Sequence, residues 1–260
     1  MLRKILLLLF LTMPLAMFAQ EGVKSPLASS RQLLLVVTKS WSVAEGTLQQ
    51  FESKNKTWQP VGAPVRVVVG RKGLGWGRGL HAEQTNSTPQ KKEGDGKSPA
   101  GIFRLSSTFG YATPAEMKLL KLPYVQCTTT LECVDDVNSI RYNSIADARA
   151  IERPDWKSSE QMLMKDDEYR LGIFVDHNVA PPAPGGGSCI FLHIWKGAGI
   201  GTSGCTAMAS SDMEKIIHWL DPAANPILIQ LPETEYLRLQ NDWQLPIIPA
   251  KNSPPSGERK

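Results

Sequence analysis

The 260-residue sequence is sparing with the groups that most enzymes use for chemistry: four cysteines, four histidines and five tyrosines. It contains no HExxH and no CxxC pair, so the usual zinc spacings are missing. A GxSxG serine elbow is absent as well. The glycine-rich GRKGLGWGRG (70–79) is not followed by a helical pattern and is no phosphate-binding fingerprint. Charge of one sign is also scarce, with 29 Lys and Arg against 25 Asp and Glu. No basic block carries aromatics, which excludes a nucleic-acid footprint; the mild surplus suits a solvated surface or an anionic polymer. Beyond the first twenty residues no apolar run is long enough to span a bilayer, and no internal repeat is visible.

What is present begins with MLRKILLLLFLTMPLAMFAQ. Arg3 and Lys4 precede a short apolar core, and Ala16 and Ala19 supply small residues near a cut. This pattern predicts a secretory signal over 1–19, and so an exported protein of the periplasm or cell envelope. Residues 20–30 read as a linker, 31–233 as one catalytic-sized domain, and 234–260 as a Pro-rich, charged extension disordered at its end. Export permits disulfides, and four cysteines allow three full pairings. Cys127 and Cys133, close together in CTTTLEC, are the favoured pair. Closing that loop stabilises by roughly 2 kcal/mol on the chain-entropy model. Cys189 and Cys205 are then thiols; the rival pairing joins them to each other.

The apolar run QLLLVVT (32–38) predicts a strand, and 46–70 predicts two strands around a polar turn at 53–56. Residues 107–170 read as irregular, with a helical start at TPAEMKLLK, where Thr113 can cap and Pro114 suits the first turn. LGIFVDHN (171–178) and SCIFLHIW (188–195) predict two more strands. Alternation along the second puts Cys189, Phe191, His193 and Trp195 on one face. SSDMEKIIHWLDP predicts an amphipathic helix with Ser211 and Glu214 as a capping box and Met213, Ile216, Ile217 and Leu220 as its apolar stripe. NPILIQLP predicts a closing strand. The class is therefore mainly β or α+β, with one late helix.

Cys205 lies among small residues in GTSGCTAM (201–208), just before that helix, where backbone N–H groups lower a thiol's pKa and bind an oxyanion. Alone it reads first as a buried structural cysteine. His193, alone in an apolar strand, reads first as a satisfied core histidine. Together, joined by the glycine-rich KGAGIGTSG, they make a Cys–His pair of the kind that activates a thiol. His177 follows Asp176 at the end of a neighbouring strand and is a candidate substrate-binding residue, with Lys196 and Asp95. His218 lies off its helix's apolar stripe and is expected to be exposed. His81, His177, His193 and Cys205 match no metal spacing, so no metal and no organic cofactor are expected.

FLHIW…GTSGCTAM resembles the signature of the L,D-transpeptidase (YkuD) catalytic domain, in which a strand histidine precedes a Ser-Gly-Cys turn. KKEGDGKSPAGIFRL (91–105) is similar to that family's upstream loop, and the two segments occur in the family's order. The resemblance implies a β-sandwich-like domain acting on peptidoglycan stem peptides. It implies Cys205 as acyl-accepting nucleophile, His193 as base, Gly204 and Cys205 N–H groups at the oxyanion, and Ser203 shaping the turn. Ser203 stands where many members carry a second histidine, and Ala207 where many carry an arginine. Hydrolysis as an L,D-carboxypeptidase or amidase, or an inactive wall-binding module, are the alternatives. No obligate protein partner is evident.

Overall fold

The computed structural model describes residues 27–84 and 89–248; the predicted signal segment and the end of the tail lie outside them. Thirteen strands and two helices are assigned among the described residues. The chain enters through β1 (Gln32–Thr38), a run of Leu and Val buried on both faces. It continues through β2 (Glu45–Lys54) and β3 (Thr57–Val68). Asn55 and Lys56 between them both have positive φ, 51° and 62°, which gives the tight hairpin turn whose twist matches the flanking strands.

A short β4 (Leu74–Trp76) leads to the long β5 (Ser98–Gly110), against which β6 (Tyr124–Gln126) also pairs. After a small three-stranded sheet follow β10 (Leu171–Val175), β11 (Phe191–Ile194) and β12 (Thr206–Met208), and last β13 (Ile227–Pro232). The main sheet runs β10-β11-β12-β3-β2-β1-β13-β5, and β5 pairs back onto β10. The mainly β layered architecture expected from the sequence is thus one sheet wrapped onto itself, its interior filled by side chains such as Leu33, Leu35, Ile102, Leu192 and Ile229.

Helix α1 (Ser210–Trp219) packs on β10 and β11, burying Met213, Ile216 and Ile217 as the stripe predicts, while His218 stays exposed. Its start differs from the expected capping box. The N-cap is Ala209, without a side-chain cap, and Glu214 instead accepts from Ser210 Oγ at 3.1 Å. A second helix, α2 (Glu233–Leu239), lies in the segment read as an extension. It packs on β13 and β1, and Tyr236, Leu239 and Leu245 join the main core, so the folded body continues past 233. No helix among the described residues is long and apolar enough to cross a membrane.

The stretch read as irregular holds the small sheet: β7 (Leu131–Val134) flanked by β8 (Ser144–Asp147) and β9 (Ser159–Gln161). At TPAEMKLLK the reciprocal Thr113–Glu116 hydrogen bonds form as a cap would, yet the chain makes only turns. Most of residues 113–121 are exposed, so little burial supports a helix this short.

The cysteine pairing is the main correction. The disulfide joins Cys133 to Cys189, with Cα atoms 5.9 Å apart, and Cys127 and Cys205 are free and buried. Sequence proximity favoured 127–133, but Cys133 belongs to β7, which the tertiary fold lays against the approach to β11. Cys189 is therefore not a thiol on a strand face. It precedes β11 in the left-handed region, φ 54°, so the expected alternation from 189 begins only at Phe191.

Candidate active site

Three glycine-rich loops, 70–73, 94–98 and 201–204, meet backbone to backbone beneath Cys205. A Cβ on Gly70 would lie 2.5 Å from the Gly96 carbonyl oxygen, and one on Gly201 would lie 2.6 Å from Arg71 Cα. The glycines are thus required by close approach rather than by flexibility. Arg71 N–H donates to the Thr202 carbonyl at 2.8 Å, and Thr202 N–H to the Val69 carbonyl at 3.0 Å. Ser98 Oγ receives Gly70 N–H at 2.8 Å and donates to the Cys205 carbonyl at 2.8 Å. Thr202 Oγ1 donates to the same carbonyl at 2.5 Å and receives Gly204 N–H at 3.1 Å. The cysteine's backbone is held from two sides. Gly204 N–H, expected at an oxyanion, is committed to Thr202 in this structure.

Strands β11 and β12 are parallel, with His193 opposite Ala207 and Leu192 opposite Thr206. That register places Cys205 on the face that carries Phe191 and His193. Phe191 N–H donates to Cys205 Sγ at 3.4 Å, and the thiol points to the Cys189 carbonyl at 3.5 Å. Cys205 and His193 line one cleft of about 520 Å³. No hydrogen bond among the described residues joins the two directly. His193 Nδ1 lies 2.8 Å from the Ile194 carbonyl. A carbonyl only accepts, so Nδ1 carries the proton and Nε2 is the basic nitrogen.

Burial governs the titration. It pushes the Cys205 thiol far above its usual range, so the sulfur is protonated at rest. It depresses His193 to about 4 despite the bond to Ile194, so the imidazole is neutral near pH 7.

The other expected residues divide. Lys196 lines the cleft and pairs with Glu168 at 3.0 Å. Ser203 lines it too, its Oγ receiving Arg71 Nη1 at 3.2 Å. His177, expected to bind substrate, is instead buried and absent from the cleft wall. Its Nδ1 receives Arg78 N–H at 3.3 Å and its Nε2 lies 3.0 Å from the Gly186 carbonyl, so both nitrogens serve the backbone. Asp95 also lies off the cleft wall. It accepts from Lys91 Nζ at 2.7 Å and from Lys92 and Lys97 N–H at 2.8 and 2.9 Å, organising its own loop. No group of three or more potential ligands for a metal ion occurs among the described residues.

Sequence reasoning missed Lys91, Glu160 and Tyr169, all on the cleft wall. Lys91 stands at the head of the singled-out KKEGDGKSP loop; its ammonium is buried about 4.0 Å from where a Gly204 Cβ would be. Glu160 and Tyr169 come from the stretch read as irregular, and nothing local marks them. Tyr169 OH donates to Glu160 Oε1, and its ring packs edge-on against Phe109, Phe191 and His193.

Comparison with known proteins gives one finding. A family model described as the L,D-transpeptidase catalytic domain, YkuD, matches residues 43–229. No curated protein and no solved structure matches.

Proposed function

The chain belongs to the L,D-transpeptidase catalytic-domain (YkuD) family, and from that premise we propose that it is an exported cysteine acyltransferase acting on peptidoglycan stem peptides. The observation that carries the reading is the shared cleft face of Cys205 and His193, set by the β11–β12 register. Cys205 Sγ attacks the carbonyl of an L-centre next to a D-residue. Its proton passes to His193 Nε2 and then to the departing amine, leaving a thioester on Cys205. The Nδ1–H bond to the Ile194 carbonyl holds the ring in the tautomer that this transfer needs. An incoming amine resolves the thioester into a cross-link; water resolves it into a hydrolysed stem.

Cations and carboxylates both line the cleft: Arg71, Lys91 and Lys196 face Asp135, Glu160 and Glu168. A stem peptide carries carboxylates and a side-chain amine, so a wall of mixed sign suits it better than a wall of one sign. Arg71 and Lys196 stand ready for substrate carboxylates where Ala207 offers none. The test is incubation of the mature protein with tetrapeptide muropeptides and mass analysis of the products. Cross-linked dimers support acyl transfer to an amine, tripeptides support hydrolysis, and unchanged muropeptides in both reactions contradict the proposal.

A further inference from the structure

The resting thiol is not hydrogen-bonded to His193, but it has another neighbour. Tyr169 lines the same cleft as Cys205 and shares its buried cluster, and its OH donates to Glu160 Oε1, so a carboxylate-linked hydroxyl opens on the cleft that holds the sulfur. The fold fixes this arrangement from two directions. Glu160 on β9 is in register with Cys133 on β7, and Cys133 is cross-linked to Cys189, whose carbonyl faces the Cys205 thiol. Tyr169 is wedged by the Phe109, Phe191 and His193 rings at centroid distances of 5.5, 5.5 and 5.2 Å. Neither group is a passive surface residue. Tyr169 is buried, and both open on the same cleft as Cys205.

We propose that Tyr169 and Glu160 form a second proton carrier for Cys205, parallel to His193. The proposal rests on the reading of Cys205 as nucleophile. As sulfur bonds to the substrate carbonyl carbon, the S–H proton moves to Tyr169 Oη and the tyrosine's own proton moves to the Glu160 carboxylate. Tyr169 is unchanged overall and Glu160 becomes neutral. When the C–N bond breaks, the chain runs backwards: Tyr169 protonates the amine nitrogen and Glu160 returns a proton to Tyr169. Protons and charge balance over the half-reaction. In this relay Tyr169 exchanges the proton with the sulfur, and Glu160 acts through Tyr169.

The acidity of Glu160 fits the task. Burial raises it to about 7, against the opposing pull of the Tyr169 bond. Asp135, Glu168 and Glu93 face it with like charge and push the same way, and Arg71, Lys91 and Lys196 are the cations on the same wall. His193, at about 4, is a weaker base by comparison. Pushing a proton onto Glu160 also removes a negative charge that opposes thiolate formation in the cleft.

The test is the rate of Cys205 alkylation by iodoacetamide as a function of pH, with the label assigned by peptide mapping because Cys127 is also free. In the wild-type protein the rate rises with an inflection near pH 7 as Glu160 ionises. Glu160→Gln keeps the size and the acceptor for Tyr169 but cannot take a proton; Tyr169→Phe keeps the ring. Both are expected to lose that inflection and to react about tenfold or more slowly at pH 8, less than the roughly 10²–10⁴ of a sole acid–base group because His193 remains. His193→Ala is expected to keep the inflection. An inflection that persists in Glu160→Gln overturns the relay, whether or not Tyr169→Phe folds. The cysteine reading fails separately, if Cys205→Ala retains full activity on muropeptides.

Discussion

Removing the Cys133–Cys189 cross-link should cost stability and reactivity together. The bond closes 56 residues of chain. On the chain-entropy model that loop corresponds to about 4 kcal/mol, roughly twice the value for the short 127–133 loop that sequence proximity favours. A domain of this kind has about 5–15 kcal/mol in total, so the loss is a large fraction. At 2–4 °C per kcal/mol for domains of 150–250 residues, the midpoint should fall by roughly 8–16 °C. The local effect follows from position. Cys189 presents the carbonyl that faces the Cys205 thiol, and Cys133 lies beside Glu160 in the β7–β9 ladder. The Cys133→Ala/Cys189→Ala variant, and wild type with reductant, should unfold earlier in urea and alkylate Cys205 with an altered pH profile. Agreement of both with the oxidised protein to within about 1 kcal/mol would refute the reasoning, as would a mapped 127–133 or 189–205 cross-link.

His193→Ala should lower turnover of muropeptides by about 10²–10⁴ without unfolding the protein, measured by kcat/KM beside a melting curve. Asp95→Ala should destabilise by about 3–5 kcal/mol in urea titration, because it leaves the Lys91 ammonium, whose side chain is only 3% exposed, without its carboxylate and with the Lys92 carbonyl as acceptor; a loss below 1 kcal/mol would mean that water reaches the ammonium. Acid should weaken the fold as pH falls from about 6.5 toward 4. His193 and His81 are held neutral down to about 4 and His177 to about 3, whereas the unfolded chain protonates them near 6.5. For His193 alone that difference corresponds to about 3 kcal/mol. Glu160, raised to about 7, works in the opposite sense between 7 and 4.5, one group against three. Stability that is level across this window, read by denaturation at several pH values, would contradict the burial of these imidazoles.

The strands were legible where apolar residues run continuously or alternate, as in QLLLVVT, LGIF and NPILIQLP, and the stripe of α1 was legible from its helical period. The paired segments FLHIW and GTSGCTAM pointed to Cys205 and His193, because a histidine inside an apolar strand and a cysteine between small residues stand out against their surroundings. Contacts between distant segments were not legible. Cys133 meets Cys189 across 56 residues, and Glu160 reaches Cys205 only through a three-stranded sheet whose strands have three or four residues each. Strands that short show no period to read. His177 and Asp95 looked available because their hydrogen bonds depend on how the loops are shaped, even where, as for Asp95, the partners lie within four residues. Their partners, Arg78, Gly186 and three lysines of the 91–97 loop, appear only once the loops pack. The glycines of 70–79 read as a loop, and tertiary packing closes 70–73 tightly against the 94–98 and 201–204 loops.

The central claim is that a substrate acyl group passes through the Cys205 sulfur. The most direct measurement is the intact mass of the mature protein, quenched in acid during turnover of a tetrapeptide muropeptide and followed by peptide mapping. The account predicts an added mass equal to the acyl portion of the donor, located on Cys205, labile to hydroxylamine and absent from Cys205→Ala. Full turnover by Cys205→Ala, or an acyl adduct mapped to another residue in the wild-type protein, would contradict it.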